Sequence, residues 1–596
     1  MWIIFLSLSV FSLILSAGLS FAIKGRRIVK KRDFNLFNSL FAGVFAASFF
    51  MFVPIHITTA EVSVMGCFRA IFLSIFNSMQ IFTFGCEFAV VTDSIGYCPQ
   101  GLNIIYQVWT SLIFVVAPIF TLGFVLSLFK NASANLRYWG AFARDVYIFS
   151  ELNDKSIILA DNIKSNHKFA AIVFTDVFEG NEESSYELIG RAKGLGAINF
   201  KKDILAVDFK KHSAYKNISF FAMGEDETEN LNQALKLIET YRNRENTNLY
   251  VFSTKTESEL LLTYIDKGRI KVRRINEVQS LINRVLYEQG EIIFESARET
   301  DGDDKQISAV VVGMGNHGRE MVKALTWFGQ MDGYRLKINA FDKDPLAEEK
   351  FTVLAPELMD LKYNRREVPG EARYDITVHS GIDVQTNTFA KEIAKITDAT
   401  YVFVGLGNDD VNINTAVNLR MYFERKHIHP VIHAVVYDSP QKKALEGITN
   451  YSGQAYDIGF IGDLENAYTE TVIIDSELEE DALKRHLKWG TEDEFWTYEY
   501  NYRSSVASAI HMRARIKCGI PGAGKKEEEL TTEERDIIEN LEHRRWNAYM
   551  RSEGYIYSGS KEKSSRNNLA KMHHNLIDYA QLTDEDKRKD SCVGTN

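Results

Sequence analysis

Cysteine and proline are scarce in this chain, with five Cys and nine Pro among 596 residues. No two cysteines form a CxxC pair, so the sequence carries neither a metal-site spacing nor a disulfide framework. Three of them, Cys67, Cys86 and Cys98, fall in the first hundred residues, where a Cys67–Cys98 bridge requires both to face an oxidising exterior. A surplus of basic residues is also missing. With 69 Lys and Arg against 79 Asp and Glu, the net charge is −10, which argues against a general duplex-DNA binder, because such proteins displace counterions from phosphates with excess cations. A local basic groove for a small anionic ligand stays open. No Ser-His-Asp order, metal cluster or paired-carboxylate site stands out, so the sequence is read as that of a non-enzyme.

Charge is unevenly distributed. Residues 1–130 hold eight Lys or Arg and four acids, and the remainder holds 61 basic and 75 acidic residues. An apolar, slightly basic front therefore precedes an acidic body. Residues 1–23 form one apolar run, long enough to cross a hydrocarbon core of about 30 Å as a helix. The cluster KGRRIVKKR follows it, the flank of a span rather than of a cleavage site, and the positive-inside bias puts the N-terminus outside. Further spans are expected from Phe34 to Ile57 and from Leu102 to Phe129.

Between them lies the apolar stretch Phe68–Val91. Four crossings would leave the acidic body outside the cell, whereas three crossings and a re-entrant segment keep it in the cytosol, where nucleotide-handling domains belong. The re-entrant reading is adopted for a transmembrane domain covering 1–135, and irregular backbone at that depth has to line water or be buried in protein. In outline the stretch resembles the pore segment of tetrameric cation channels, with Ser78, Gln80, Thr83, Phe84 and Gly85 in the places of a polar helix end and a Thr-X-Gly turn. It departs from them where Cys86 and Glu87 follow Gly85, which puts potassium selectivity in doubt and makes Glu87 a candidate carboxylate ring for cations. Resemblance to such pores implies a homo-tetramer. Pro118 and Gly123 in the third span are the candidate gate, since an internal proline removes a helix hydrogen bond and favours a kink.

The acidic body alternates strand-like and helix-like runs, the pattern of βαβ units around a parallel sheet, and the pattern occurs twice. FAMGEDETENLNQALKL matches FVGLGNDDVNINTAVNL with one residue deleted, so two α/β Rossmann-like domains are expected at 140–300 and 301–480. The second carries Gly313, Gly315 and Gly318 between a strand and a helix, with Asp342 ending the next strand. Such glycines permit a tight turn and close approach of a pyrophosphate to a helix N-terminus, and the acid is placed to accept a ribose hydroxyl. The first copy has Ser150, Leu152 and Lys155 at the corresponding places, with Asp176 at the acidic position, and is read as degenerate.

The tandem resembles the RCK or TrkA N-terminal domains that regulate potassium channels and transporters. That resemblance implies a nucleotide on Gly313, Gly315, Gly318 and Asp342, with Asn316, His317, Gly405 and Asn408 nearby. A small, mainly helical unit at 487–596, including a charged joint GAGKKEEEL expected to be flexible, holds Glu542-His543-x-x-Trp546 and His574-x-Leu576-x-x-Tyr579, and it resembles the ryanodine-receptor repeat domain of bacterial proteins. Asn501, Arg503, His543, Trp546 and His574 are of the types that clasp a base and phosphates. Together the three parts resemble the membrane effectors of bacterial anti-phage defence, those of the Hailong type among them. The resemblance implies a multi-pass protein of the inner membrane with cytoplasmic soluble domains, gated by a mono-, di- or oligonucleotide that a partner nucleotidyltransferase makes. The alternative is a potassium channel or uptake protein sensing an adenine nucleotide.

Overall fold

The computed structural model describes residues 1–24, 34–83, 85–129, 132–177, 183–210, 212–302, 304–360, 373–437, 442, 445, 457–474 and 476–594, with side-chain surroundings outside 18–40, 90, 120–133, 183–184 and 591–593. The chain divides into two compact units, 1–139 and 140–596.

The first unit contains α1 (Trp2–Lys24), α2 (Phe34–Thr59), α3 (Val64–Ile81), the short α4 (Phe88–Ser94) and α5 (Gln100–Phe129). Among the described residues, three helical stretches are long and apolar enough to cross a membrane, namely Phe41–Thr59, Val64–Ile81 and Gln100–Ile119, and Trp2–Ala17 is a shorter apolar one. Two polar side chains bond between helices of the bundle. Ser9 Oγ donates to the Ala47 carbonyl at 2.6 Å, and Trp109 Nε1 donates to Ser9 Oγ at 2.8 Å. A Cβ on Gly43 would lie 2.3 Å from that of Ser16, so α1 and α2 cross closely and run antiparallel.

The start of α5 meets the C-terminal half of α2, where the Tyr106 hydroxyl donates to the Met51 carbonyl at 2.5 Å and the Trp2 ring stands edge-on to Tyr106 at 5.0 Å. From the same end of α2 the chain enters α3. Asn77 Nδ2 is 3.0 Å from His56 Nε2, and the Phe82 ring lies 4.8 Å from Phe41, about 27 Å from the end of α2 at 1.5 Å per residue. It comes back through α4, whose Phe88 ring is 5.1 Å from Phe114, and through the buried Ile95 and Cys98. Most of Phe68–Val91 is thus helical, in α3 and α4. Cys67 and Cys98 are free thiols.

The second unit holds two six-stranded sheets. The first comprises β1 (Val146–Phe149), β2 (Ala171–Phe174), β3 (Ile198–Asn199), β4 (Ile218–Ala222), β5 (Thr247–Phe252) and β6 (Lys271–Ile275), in the order β3-β2-β1-β4-β5-β6. The second comprises β7 (Lys305–Val312), β8 (Tyr334–Asp342), β9 (Tyr374–Ser380), β10 (Tyr401–Val404), β11 (Val431–Val435) and β12 (Ile458–Ile461), in the order β9-β8-β7-β10-β11-β12. All neighbours are parallel, and both sheets reverse direction beside their first strand, which opens a crevice at β1/β4 and at β7/β10. Runs such as AIVF and AVVV are buried on both faces, which is why they do not alternate.

The repeat is visible in one bonding pattern. Asn230 accepts from the Gly224 amide at 2.7 Å and donates to the Phe252 carbonyl at 3.0 Å; Asn412 accepts from the Leu406 amide at 2.7 Å and donates to the Val435 carbonyl at 2.7 Å. Each asparagine locks the turn after the fourth strand to the end of the fifth. The C-terminal helices Glu499–Lys517 and Thr532–Ser552 share a hydrophobic core with the Asn316–Phe328 helix of the second sheet, through Ile510, Leu541 and Tyr549 against Trp327 and Phe328. The joint GAGKKEEEL, expected to be flexible from its composition, carries two ion pairs with the following helix, Lys525–Glu534 at 2.6 Å and Arg535–Glu527 at 2.9 Å.

Candidate functional site

The glycine-rich turn after β7 needs its glycines for two different reasons. Gly313 has φ +92°, and a Cβ there would meet the Gly405 carbonyl oxygen at 2.6 Å; a Cβ on Gly318 would sit 1.6 Å from the Gly313 carbonyl oxygen. Gly315, by contrast, has open space beside it at the N-terminus of the Asn316–Phe328 helix, where the helix dipole favours an anion.

Asp342 was expected to face a ribose. Its Oδ2 accepts from the Met314 amide at 2.5 Å and its Oδ1 from the Asp344 amide at 2.7 Å, so it ties the turn to the end of β8. His317 Nε2 lies 2.6 Å from the Tyr437 hydroxyl, and burial holds its pKa below the ordinary histidine value. Asn316 accepts from Arg319 at 2.7 Å, Asn408 caps the helix that follows β10 by accepting from Val411 at 3.0 Å, and Gly405 is buried against the His317 Cβ. The first copy fills the same crevice with its own groups. Ser150 Oγ accepts from the Met223 amide at 3.0 Å, and Lys155 pairs with Glu277 at 2.7 Å, to which Tyr468 also donates.

A cavity of about 420 Å³ in the C-terminal region gathers all five residues singled out there, Asn501, Arg503, His543, Trp546 and His574. They come from three segments that the Glu499–Lys517 and Thr532–Ser552 helices bring together. His543 is fixed at both ring nitrogens, 2.9 Å from the Ile577 carbonyl and 3.2 Å from Asp590, whose own pKa burial raises. The half-buried Trp546 ring stacks near His543 at 5.9 Å and meets His573 edge-on at 4.8 Å. His573 and His574 stack at 4.7 Å.

Arg503 does not stand free for a phosphate. It bonds Glu259 at 3.0 Å and also Glu553, and although burial opposes its charge, these carboxylates keep its pKa well above the usual value. Glu553 in turn takes Lys323 of the Asn316–Phe328 helix at 3.3 Å, and Lys571 donates to the Glu553 backbone carbonyl at 2.7 Å. Asn501 donates to the Glu494 carbonyl at 3.3 Å. Sequence reasoning missed Arg485, Ser508, Arg545, Arg566 and Tyr500, which also line the cavity. The signal for Arg545 was present: the unspecified positions between His543 and Trp546 are two consecutive arginines on an otherwise packed helix.

In the membrane unit, Ser78 is buried and donates to the Ser74 carbonyl at 2.7 Å. The Thr83 hydroxyl and the Gly85 amide both donate to the Gln80 carbonyl at 3.0 Å, so the turn after α3 closes on Gln80. Thr83, Gly85 and Glu87 are exposed on the single chain, and Phe84 lies outside the described residues. Pro118 is buried within α5, which stays helical from Gln100 to Phe129; the surroundings of Gly123 lie outside the description.

No protein-family model matches the chain, and no curated protein matches it.

Proposed function

We propose that the chain is a nucleotide- or oligonucleotide-gated ion channel, acting as a membrane-disrupting effector in bacterial anti-phage defence, with four copies framing one pore. The soluble part is then a tandem of RCK-like domains carrying a ryanodine-receptor-type sensor, all on the cytoplasmic side of the inner membrane. The observation that carries this reading is the C-terminal cavity, in which two Trp, three His and several Arg and Lys converge from separate segments. Aromatic faces stack bases and guanidinium groups bind phosphates, and neither needs a metal.

Supporting the pore is the route of residues 60–99, which leave the end of α2, reach the level of Phe41 and rejoin the bundle at the start of α5. On this reading the segment is re-entrant, and the turn carrying Thr83, Gly85 and Glu87 lines the ion path. Supporting the coupling is Glu553, which borders the cavity and holds both Arg503 and Lys323, while Arg503 reaches Glu259 beside the first sheet. A ligand that binds one arrangement of these ion pairs better than another shifts the whole soluble part by that difference in affinity.

The test is recording from the full chain in planar bilayers with potassium on one side and sodium on the other. Current is expected when nucleotides or the products of a partner nucleotidyltransferase are added, and it should be lost in Trp546→Ala. Ligand-independent flux that is identical in Trp546→Ala, or no conductance under any condition, sinks the reading.

A further inference from the structure

The two copies are fastened to the C-terminal helices by different chemistry. The second shares their hydrophobic core, with Trp327 and Phe328 against Ile510 and Leu541. The first meets the same helices through a line of charges that alternate in sign. Glu320 and Glu553 both take Lys323, at 2.8 and 3.3 Å, and Glu553 also takes Arg503, which bonds Glu259 of the first copy at 3.0 Å. Glu259 in turn stands 3.9 Å from Arg274 of β6, and Arg274 is bonded to Glu499.

This line of charges runs between two cavities. Arg503 and Glu553 border the C-terminal cavity of about 420 Å³ and also a second one of about 550 Å³, where Arg274 and Glu499 form part of the wall. Protein interiors are ordinarily close-packed, so charged side chains flanked by cavities have room to rearrange. Polar contacts between domains are also those at which the domains move relative to one another. Arg503 holds two carboxylates at once, giving Nη1 to Glu259 and Nη2 to Glu553. Glu259 lines the C-terminal cavity beside it.

From this we infer that Glu259 and an anionic ligand compete for Arg503, so that occupation of the C-terminal cavity releases the first copy from the C-terminal helices. The inference rests on the nucleotide-sensing reading above and specifies how that site is regulated. An anion in the cavity finds Arg503 on the wall with Nη1 already given to Glu259. Once the anion takes that donor, Arg503 stays with Glu553, and Glu259 keeps only Arg274, which Glu499 already holds. A mostly buried carboxylate without its cation is costly unless water replaces it, so the Thr256–Tyr264 helix that carries Glu259 gains by moving outward. The coupling is reciprocal: the factor by which the docked first copy weakens ligand binding is the factor by which ligand weakens docking.

The experiment is titration of the full chain in nanodiscs with ATP, GTP and inorganic pyrophosphate, read by calorimetry and by hydrogen exchange of residues 256–264. Glu259→Gln removes the competitor and should bind at least one of these anions about five-fold or more tightly than the parent. Without ligand, its residues 256–264 should exchange as fast as those of the saturated parent, while exchange in β7 stays the same. Glu257→Gln, which removes the same charge from an exposed place on the same helix, should do neither. Equal or weaker anion binding in Glu259→Gln overturns the proposal, as does an equal gain in Glu257→Gln. If Glu259→Gln melts well below the parent, Glu259→Asp decides, because it keeps the charge and draws it back from Arg503 by one methylene; unchanged anion affinity there overturns the proposal. Nucleotide binding that is equal in the parent and Glu259→Gln but lost in Trp546→Ala overturns the competition and keeps the nucleotide-sensing reading. Pyrophosphate that binds as tightly as either nucleotide and speeds exchange at 256–264 keeps the competition and removes that reading. Binding of no anion by either protein overturns both.

Discussion

The two parallel sheets have one strand order and one asparagine lock, yet they close their crevices by opposite means. Beside β1 the crevice is filled by side chains, with Ser150 on the Met223 amide and Lys155 on Glu277. Beside β7 it is built by removing side chains, so that backbone packs on backbone at Gly313, Gly318 and Gly405. A doubly wound sheet thus tolerates either solution. The second leaves open space at a helix N-terminus, at Gly315.

The sharpest way to break this comparison is to put a side chain where the second copy has none. In Gly318→Val the added Cβ would lie 1.6 Å from the Gly313 carbonyl oxygen, so the helix has to move off the strand. A loss of about 3 kcal/mol or more is expected, seen as a large fall in melting temperature or as insoluble protein. Lys155→Ala at the corresponding place in the first copy removes only a half-exposed ion pair, whose loss costs below about 1 kcal/mol. Equal effects of the two substitutions would mean that the crevices do not differ in the way described.

A second contrast lies inside the sheets. His433 occupies the middle of β11 beside Phe403, whereas the corresponding position of β5, beside Phe220, is Leu249. Burial pushes the His433 pKa down to about 4, with Asp457 opposing slightly. The unfolded chain takes up a proton near 6.5 and the folded one not until about 4, so the unfolded state binds more protons between these values and stability falls as pH is lowered through them. The loss is about 1.4 kcal/mol per pH unit, or about 2 kcal/mol at pH 5. Between pH 7 and 5 the parent should therefore lose about 2 kcal/mol relative to His433→Leu, read from melting curves of both. Parallel curves would show that His433 is not buried as a neutral group.

Much of this was legible beforehand, and what was not has a common cause. The apolar runs, the strand–helix alternation, the repeat and the glycine turn are local patterns, each set by neighbours within a few tens of residues. The five cavity residues were also found, because a Trp and a His three apart on a helix, followed by a second His near Leu576 and Tyr579, is a local signature too. The partners of those residues were not. Arg503 is neutralised by Glu259, which lies 244 residues away, and Asp342 accepts from the Met314 amide of the glycine turn. Pairings between distant segments leave no periodicity to read. The same is true of Glu542, which takes Arg545 from its own helix and Arg515 from another.

The smallest expected effect on stability tests whether the second crevice is a site at all. Gly315 has an ordinary negative φ of −68°, and a Cβ there meets no atom within 4 Å, so Gly315→Ala should change stability by no more than about 0.5 kcal/mol. A methyl group at that point does obstruct a phosphate drawing close to the amides at the start of the helix. If nucleotides stabilise the chain through this crevice, their effect on the melting temperature should shrink in Gly315→Ala and persist in Trp546→Ala. The reverse result, ligand stabilisation unchanged by Gly315→Ala and abolished by Trp546→Ala, would assign all ligand dependence to the C-terminal cavity. The glycines of the second copy would then be what Ser150 and Lys155 are in the first, a means of closing the turn.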